Sequence, residues 1–176
     1  EFVKETTKVS GTSITFSPDP EIFENTNFLP EEIFKNIHNK AYLFPGVKIY
    51  WKCNKTIIDE KKNIPIEKIL FFEDGIKQLL ADKVSNLELL TSKMFYEKIE
   101  INEEKIECSI VWFYNNSNNF ITSFCNTVLT GNGGTHEQGF KNALTKATRN
   151  YAEMIGFKKF NQILTEDIIK NLAGIV

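Results

Sequence analysis

A glycine-rich turn that leads directly into an amphipathic helix is the stretch of this sequence most suggestive of chemistry. It occupies residues 131–134, and a helical pattern begins at Thr135. A phosphate-binding loop needs glycines at P-loop or dinucleotide spacing, followed by a Lys-Ser or Lys-Thr pair or by a third glycine in register. His136 stands where that third glycine would fall after Gly131 and Gly133, and no such lysine pair follows the turn. The spacing therefore argues against phosphate binding.

The same segment predicts the start of a helix. Thr135 with Gln138 three residues later forms a capping-box pattern, in which Thr135 is the N-cap. Glu137 would complement the positive end of the helix dipole. On this interpretation the glycines serve only the entry of the backbone into the helix.

Two faces can be assigned on this helix, which we expect to extend to about residue 154. Apolar side chains recur at steps of three and four, which predicts a core-facing stripe of Phe140, Ala143, Leu144, Ala147, Tyr151 and Met154. Lys141, Lys146 and Arg149 project from the remaining arc. Cations on the wet side of a helix are usually just solvated, so the sequence alone favours simple exposure.

Composition limits the possible classes of protein. The 176 residues are 41% hydrophobic and include 15 Phe, which is enough for one substantial core. A net charge of -2 gives no global attraction for nucleic acid. No apolar run approaches the roughly 20 residues that cross a bilayer, and the amino terminus lacks a signal-peptide pattern. A cytoplasmic location is expected.

Metal and disulfide chemistry are not indicated. Cys53, Cys108 and Cys125 are widely spaced in strand-like runs, fit no zinc pattern and are predicted to be buried, reduced thiols. His38 and His136 are the only histidines, and neither lies near a second soft ligand in the sequence. We therefore expect no metal site.

Hydrophobic periodicity predicts strands interspersed with helices. In the first half we expect a strand at 13–16, a helix at 30–43, strands at 47–53 and 66–72 around a solvated hairpin connection at 54–63, and a helix at 75–84. In the second half we expect strands at 105–114 and 120–129 with a tight antiparallel connection at 115–119, the helix after the glycine turn and a helix from 165. This pattern indicates an α+β sandwich. Its predicted core includes Trp51, Trp112, Phe124, Phe140, Leu144 and Tyr151.

Three segments of the sequence resemble the transducer domain in the ATPase subunit of type IIA bacterial topoisomerases, and they occur along the chain in the same order as in that family. The first is Gly-Gly-Thr-His-Glu followed by Gly-Phe and an Ala-Leu-Thr helix, within residues 133–145. The second, residues 11–23, is similar to the junction where the last strand of the ATPase domain enters the transducer. The third, residues 40–49, is more similar to the topoisomerase IV branch than to the gyrase branch.

The resemblance implies a fold, a domain division and an activity. The fold would be a two-layer α+β sandwich with a left-handed βαβ crossover, of the GHMP-kinase-like and ribosomal-protein-like transducer type. Residues 1–20 would hold the last strand region of the upstream ATPase domain and the junction. Residues 21–176 would be the transducer domain, which would end with a strand near 172–176 and be cut before a Gln-Thr-Lys loop. Members of the family are isomerases that couple ATP binding and hydrolysis to clamp closure and DNA strand passage. In the full-length protein this implies ATP and Mg2+, DNA, the A subunit of topoisomerase IV as a partner, and homodimerisation through the ATPase domain.

Site residues are also implied by the resemblance. Lys141, Lys146 and Arg149 would face the DNA-admitting cavity between two subunits, and Lys141 best matches a basic position of the family. Thr12 would be a remnant of the ATP site, although a strand threonine is the simpler interpretation. No catalytic residue and no metal ligand is expected in this segment, which we predict to be inactive alone. A transducer of the gyrase B type, a stand-alone GHMP-type small-molecule kinase and a protein-binding module are the alternatives.

Overall fold

The computed structural model describes residues 11–58, 63–114 and 119–176. Most of the predicted connection at 115–119, part of that at 54–63 and the first half of the predicted junction at 1–20 therefore lie outside the described residues. The predicted strand at 13–16 is wrong, because residues 11–19 have no regular structure. Ile14 and Phe16 in this segment are exposed. An isolated run of β-forming residues does not make a strand unless another strand offers it a ladder.

The first layer of structure combines a helix with a small hairpin. Helix α1 spans Pro30–Leu43, as predicted, with Pro30 in the first turn where its missing N–H costs nothing. Strands β1 (Ile49–Lys52) and β2 (Glu67–Leu70) pair antiparallel, which confirms the predicted hairpin with shorter strands. The indole N–H of Trp51 donates to the carbonyl of Pro65 at 2.7 Å, so the half-buried ring is anchored to the opposite arm of the hairpin.

In the described part of the chain the main sheet has four strands, of which one was missed in the sequence. Strand β3 (Phe95–Ile101) was not predicted; it pairs antiparallel with β4 (Glu104–Trp112) across Asn102 and Glu103. Both turn residues have positive φ, at 49° and 71°, as a type I′ hairpin turn requires. The asparagine was the available signal for this turn, because asparagine tolerates the left-handed region better than most residues.

The second half of the sheet corrects the predicted antiparallel connection at 115–119. Strand β5 (Phe120–Thr122) does not pair with β4, because the carboxyl-terminal strand β8 (Leu172–Ile175) lies between them in the order β3-β4-β8-β5. Strand β8 is antiparallel to β4 and parallel to β5. A parallel pair needs a long crossover rather than a tight turn, and here the crossover contains everything between residues 123 and 171.

The crossover begins with a second small hairpin and continues through two helices. The predicted strand at 120–129 is broken after β5, and strands β6 (Phe124–Cys125) and β7 (Val128–Leu129) form an antiparallel pair of their own. Helix α3 (Thr135–Met154) and helix α4 (Thr165–Ile169) follow, close to their predicted positions. The mixture of helices with this sheet confirms the predicted α+β class.

The core lies where helix α2 (Gly75–Lys83) packs on β4 and β8. Its buried members include Leu80, Val111, Phe113, Ala173 and Ile175. Of the six core residues predicted from the sequence, Tyr151 is wrong, because 60% of it is exposed. The other five are half-buried. The prediction of three buried thiols is wrong for Cys125, which is exposed, while Cys53 and Cys108 are half-buried.

Helix α3 does not bury the stripe that its periodicity predicted. Its buried residues are Thr145 and Ala152, and it packs against α4 and a 3-10 turn at Phe160–Gln162. On the predicted stripe, Met154 is 75% exposed, and Phe140 and Leu144 are only half-buried. The predicted core face is therefore wrong. The helix instead uses a polar face for packing, and the hydrogen bonds that allow this belong to the candidate site.

Candidate functional site

The candidate site is built around the amino-terminal half of α3 and the glycine turn that precedes it. The N-cap of α3 is Gly134, and Thr135 is already the first helical residue. The backbone N–H of Gln138 donates to the carbonyl of Gly134, while the side-chain amide of Gln138 donates to Asn142. The predicted capping box at Thr135 and Gln138 is therefore wrong, because the chain enters the helix one residue earlier, at a glycine that has no side chain to cap it.

The glycines make room for two side chains that fold back onto the turn. Gly133 has a φ of +71°, and a Cβ there would lie 3.1 Å from the Glu137 carboxylate. A Cβ on Gly134 would lie 2.8 Å from the imidazole of His136. A carboxylate packed against the turn repels an anion. The structure therefore agrees with the sequence that this turn does not bind phosphate.

The Glu137 carboxylate is the centre of a polar network. Its Oε1 accepts from the Lys141 ammonium at 2.6 Å, and its Oε2 accepts from the Ser123 hydroxyl at 2.7 Å. Thr130 closes the network at the base of the β6–β7 hairpin, where its hydroxyl donates to the Ser123 carbonyl at 2.8 Å. His136 Nε2 is 3.3 Å from the Thr130 hydroxyl. The network joins the start of α3 to the end of β5.

Burial makes this network less screened by salt than a surface ion pair. The Lys141 and Glu137 side chains are 24% and 14% exposed, and Ser123 is buried. Burial raises the pKa of the Glu137 carboxyl, but the hydrogen bonds from Lys141 and Ser123 outweigh it, and the net pKa is lower than usual. Glu137 is therefore ionised at neutral pH, and the Lys141 charge is internally compensated.

A polar groove lies farther along α3, where the helix packs on the Phe160–Gln162 turn and α4. It has a volume of about 520 Å³. Its lining is dominated by amide, hydroxyl and charged side chains, among them Asn142, Lys146, Arg149, Asn150, Glu153 and Asn161. We call this the α3 groove. Such a lining supplies hydrogen-bond donors and positive charge, which are the groups that contact nucleic-acid backbones.

Within the α3 groove the two cations have different roles. The guanidinium of Arg149 donates from Nε to the Ile163 carbonyl at 2.8 Å and also from Nη2, so it supports the chain entering α4. Lys146 is exposed. A guanidinium has five N–H donors, so Arg149 keeps donors for a ligand while it makes these bonds.

The packed face of α3 is polar because its hydroxyl groups find partners. The Thr145 hydroxyl donates to the Lys141 carbonyl at 2.8 Å and lies 3.0 Å from the Thr165 hydroxyl. The Thr148 hydroxyl donates to the Leu144 carbonyl in the same i−4 pattern. These bonds remove most of the cost of burying polar groups.

The predicted site residues thus fall into three places. Lys146 and Arg149 line the α3 groove together, whereas Lys141 is held in the polar network by Glu137. Thr12 is exposed in the irregular segment before α1. Contact of these residues with DNA or ATP remains a prediction. Sequence reasoning missed Ser123 and Thr130, since only the fold brings residues of the small hairpin to the start of α3.

The part of the chain that the structure describes has neither a metal-binding cluster nor a membrane-spanning helix. No group of three or more His, Cys, Asp or Glu side chains in residues 11–58, 63–114 and 119–176 is arranged to hold a metal ion. Among the same residues, no helix is long and apolar enough to cross a membrane.

Comparison with known proteins places the chain in a family. Residues 75–176, which include the polar network and the α3 groove, match the family model described as DNA gyrase B. The chain belongs to the DNA gyrase B family. This result confirms the resemblance to the ATPase subunits of type II topoisomerases. It does not favour the small-molecule kinase alternative.

Curated members of the DNA gyrase B family align with nearly the whole chain. The B subunit of DNA topoisomerase 4 from Rickettsia prowazekii is 41% identical over 96% of this chain and 25% of its own length. The corresponding protein from Rickettsia bellii is 38% identical over 96% of this chain and 26% of its own length. The chain therefore spans about a quarter of the length of these relatives. Their names agree with the predicted similarity to the topoisomerase IV branch.

Solved structures of the gyrase B family show the same fold. The 43K ATPase domain of Thermus thermophilus gyrase B, solved with an aminocoumarin, has a TM-score of 0.68 and 26% identity, covering 90% of this chain and 41% of that one. The B-subunit of the DNA gyrase from Myxococcus xanthus has a TM-score of 0.69 at 20% identity, covering 90% and 47%. The second match supports the fold alone.

Proposed function

We propose that this chain is the transducer segment of an ATP-dependent type II DNA topoisomerase, as found in the B subunit of topoisomerase IV. In this role it couples ATP binding and hydrolysis to closure of a protein clamp and passage of a DNA duplex. The observation that carries the proposal is the gyrase B family match over residues 75–176, which contain the main sheet and α3. Residues 1–20 would be the junction with an ATPase domain, and residues 21–176 the transducer.

The remaining parts of the proposal concern the full-length protein. ATP and Mg2+ would bind mainly outside this chain, with Thr12 as a peripheral contact of the ATP site. Homodimerisation would occur through the ATPase domain, the A subunit of topoisomerase IV would be the partner, and the enzyme would act in the cytoplasm. The relatives' names support the assignment as a B subunit, and the gyrase B ATPase-domain match supports the use of ATP.

Within this function the α3 groove would contact the DNA backbone. Lys146 supplies an exposed charge, Arg149 supplies spare N–H donors, and the amides of Asn142, Asn150 and Asn161 supply neutral donors. Backbone contacts carry no base sequence information, so binding would be nonspecific. The net charge of -2 and the small number of cations would confine measurable binding to low salt.

A charge reversal in the full-length protein tests the DNA assignment. We expect Lys146→Glu to reduce the stimulation of ATP hydrolysis by DNA, expressed as the ratio of stimulated to basal rate. Lys77→Glu on the exposed side of α2 is the matched control, because it makes the same charge change on a helix outside the groove. An unchanged ratio in Lys146→Glu, or an equal decrease in both variants, would contradict a DNA contact in the α3 groove.

The chain by itself is expected to neither bind nor hydrolyse ATP. A nucleotide site needs an adenine pocket, a phosphate cradle and Mg2+ ligands together, and hydrolysis also needs a general base and stabilisation of developing charge. The glycine turn is occupied by Glu137 and His136, so it cannot serve as the cradle. Isothermal titration with Mg-ATP should give no binding heat. Micromolar binding would instead revive the kinase alternative.

A further inference from the structure

The strongest unexplained feature of the structure is the ion pair between Glu137 and Lys141 at the start of α3. Lys141 is the cation that the family resemblance placed closest to DNA, yet its ammonium is 2.6 Å from Glu137 Oε1 and its side chain is only 24% exposed. A lysine has one compact charge. An ammonium held by a carboxylate at this distance contributes little net attraction to a passing phosphate.

We propose that Glu137 is an internal competitor for Lys141, so that Lys141 binds a DNA phosphate only after the Glu137–Lys141 ion pair opens. This inference rests on the proposed DNA contact of α3. It adds a regulatory step. Lys146 in the α3 groove can contact DNA while the Glu137–Lys141 ion pair is closed, and Lys141 contributes a second contact when a phosphate replaces the Glu137 carboxylate.

The surroundings of Glu137 allow the pair to open without leaving the carboxylate unsupported. Oε2 keeps its hydrogen bond from Ser123 at 2.7 Å when Lys141 leaves Oε1. Ser123 is in turn fixed by Thr130, whose backbone N–H and hydroxyl both donate to the Ser123 carbonyl. Glu137 is therefore held in place from the hairpin side. The flexible stem of Lys141 is the partner that is free to move.

Ser123, which holds the Glu137 carboxylate, is itself hydrogen-bonded into the main sheet through its neighbours. The backbone N–H of Phe124 donates to the Val176 carbonyl, and the N–H of Val176 donates to Thr122. Ser123 therefore sits between two hydrogen bonds that join it to the end of β8. Through Ser123 the Glu137 carboxylate is connected to the sheet, whereas the Lys141 ammonium is held by Glu137.

A double-mutant cycle measured by DNA binding tests the competition. Glu137→Gln keeps the side-chain shape and removes the charge that holds Lys141. We expect this variant of the chain to bind a short fluorescein-labelled duplex roughly two- to fivefold more tightly at low salt, in the range of one weak ion pair. The slope of log K against log salt should steepen by about 0.9, the value for one added phosphate contact.

The decisive control is the same substitution in a chain that lacks the lysine. If Glu137 acts through Lys141, Glu137→Gln should give no gain in the Lys141→Gln background. A gain of equal size in that background would mean that the effect is general charge removal, and would overturn the proposal. Glu137→Asp, which keeps the charge and shortens the reach to Lys141, should also tighten binding and replaces the Gln variant if the latter fails to fold by circular dichroism.

The outcome also separates this inference from the DNA assignment itself. If Lys146→Glu weakens duplex binding while Glu137→Gln and Glu137→Asp leave it unchanged, the α3 groove binds DNA and the competition is wrong. If Lys146→Glu has no effect and none of the Glu137 variants binds more tightly, the DNA contact of α3 is wrong and the inference is lost with it.

Discussion

The same substitution at two leucines distinguishes the core of this fold from the apolar stripe predicted on α3. Leu80 on α2 is completely buried in the cluster formed with β4 and β8, whereas Leu144 on α3 is only half-buried. The periodicity of α3 alone predicts a large loss at Leu144. The structure predicts that Leu80 is the costly position.

The two losses can be estimated from burial. Leu80→Ala removes a fully buried side chain and leaves a cavity, which should lower the free energy of unfolding by roughly 2 to 5 kcal/mol. Leu144→Ala removes a side chain that is less completely buried and opens no closed cavity, so a smaller loss of about 1 to 2 kcal/mol is expected. For a chain of this length each kcal/mol corresponds to roughly 2 to 4 °C in Tm.

Urea unfolding followed by tryptophan fluorescence measures both variants. Trp51 and Trp112 are half-buried and report on the hairpin and on the main sheet. The m-values should equal that of the parent chain, so that the midpoints report stability alone. A loss in Leu144→Ala equal to or larger than that in Leu80→Ala would refute the placement of the core.

Two further predictions concern pH and the glycine turn. Burial, with a smaller contribution from Lys68, lowers the pKa of His38 below its unfolded value near 6.5. The unfolded chain therefore binds more protons, and the free energy of unfolding should fall as pH decreases below that value. His38→Phe should reduce the change in the urea midpoint between about pH 7 and 5. Gly134→Ala should destabilise by roughly 1 to 3 kcal/mol because its Cβ would meet the His136 ring, whereas Gly131→Ala has open space; equal thermal melts would contradict the close approach.

The sequence predicted local elements better than their arrangement. Helix α1 was placed within a residue, because proline, turn residues and short-range periodicity define it locally. The carboxyl-terminal strand β8 was expected from the family resemblance. The position of β8 between β4 and β5 was not predicted. Nothing in residues 105–129 indicates that a strand from the end of the chain will separate the two, since strand order depends on long-range pairing.

The candidate site shows the same division between local and distant signals. The start of α3 and the presence of three cations on it follow from the sequence, but their partners do not. Glu137 and Lys141 are four residues apart, a spacing that favours an ion pair on a helix, and this signal could have been used. The Ser123 hydroxyl that completes the network comes from another element and has no counterpart in helical spacing.

The error in predicting the buried face of α3 has a physical cause, and this cause bears on how the helix would attract DNA. A periodicity argument classifies threonine and arginine as solvent-facing, but Thr145 returns its hydroxyl to the Lys141 carbonyl and Arg149 donates to Ile163, so both can pack against α4. This packing uses N–H donors of Arg149 but leaves its charge in place, because the partner is a neutral carbonyl. The ion pair with Glu137 offsets the charge of Lys141. The electrostatic attraction of α3 for a phosphate backbone is therefore smaller than its composition suggests, and it increases when Lys141 is released.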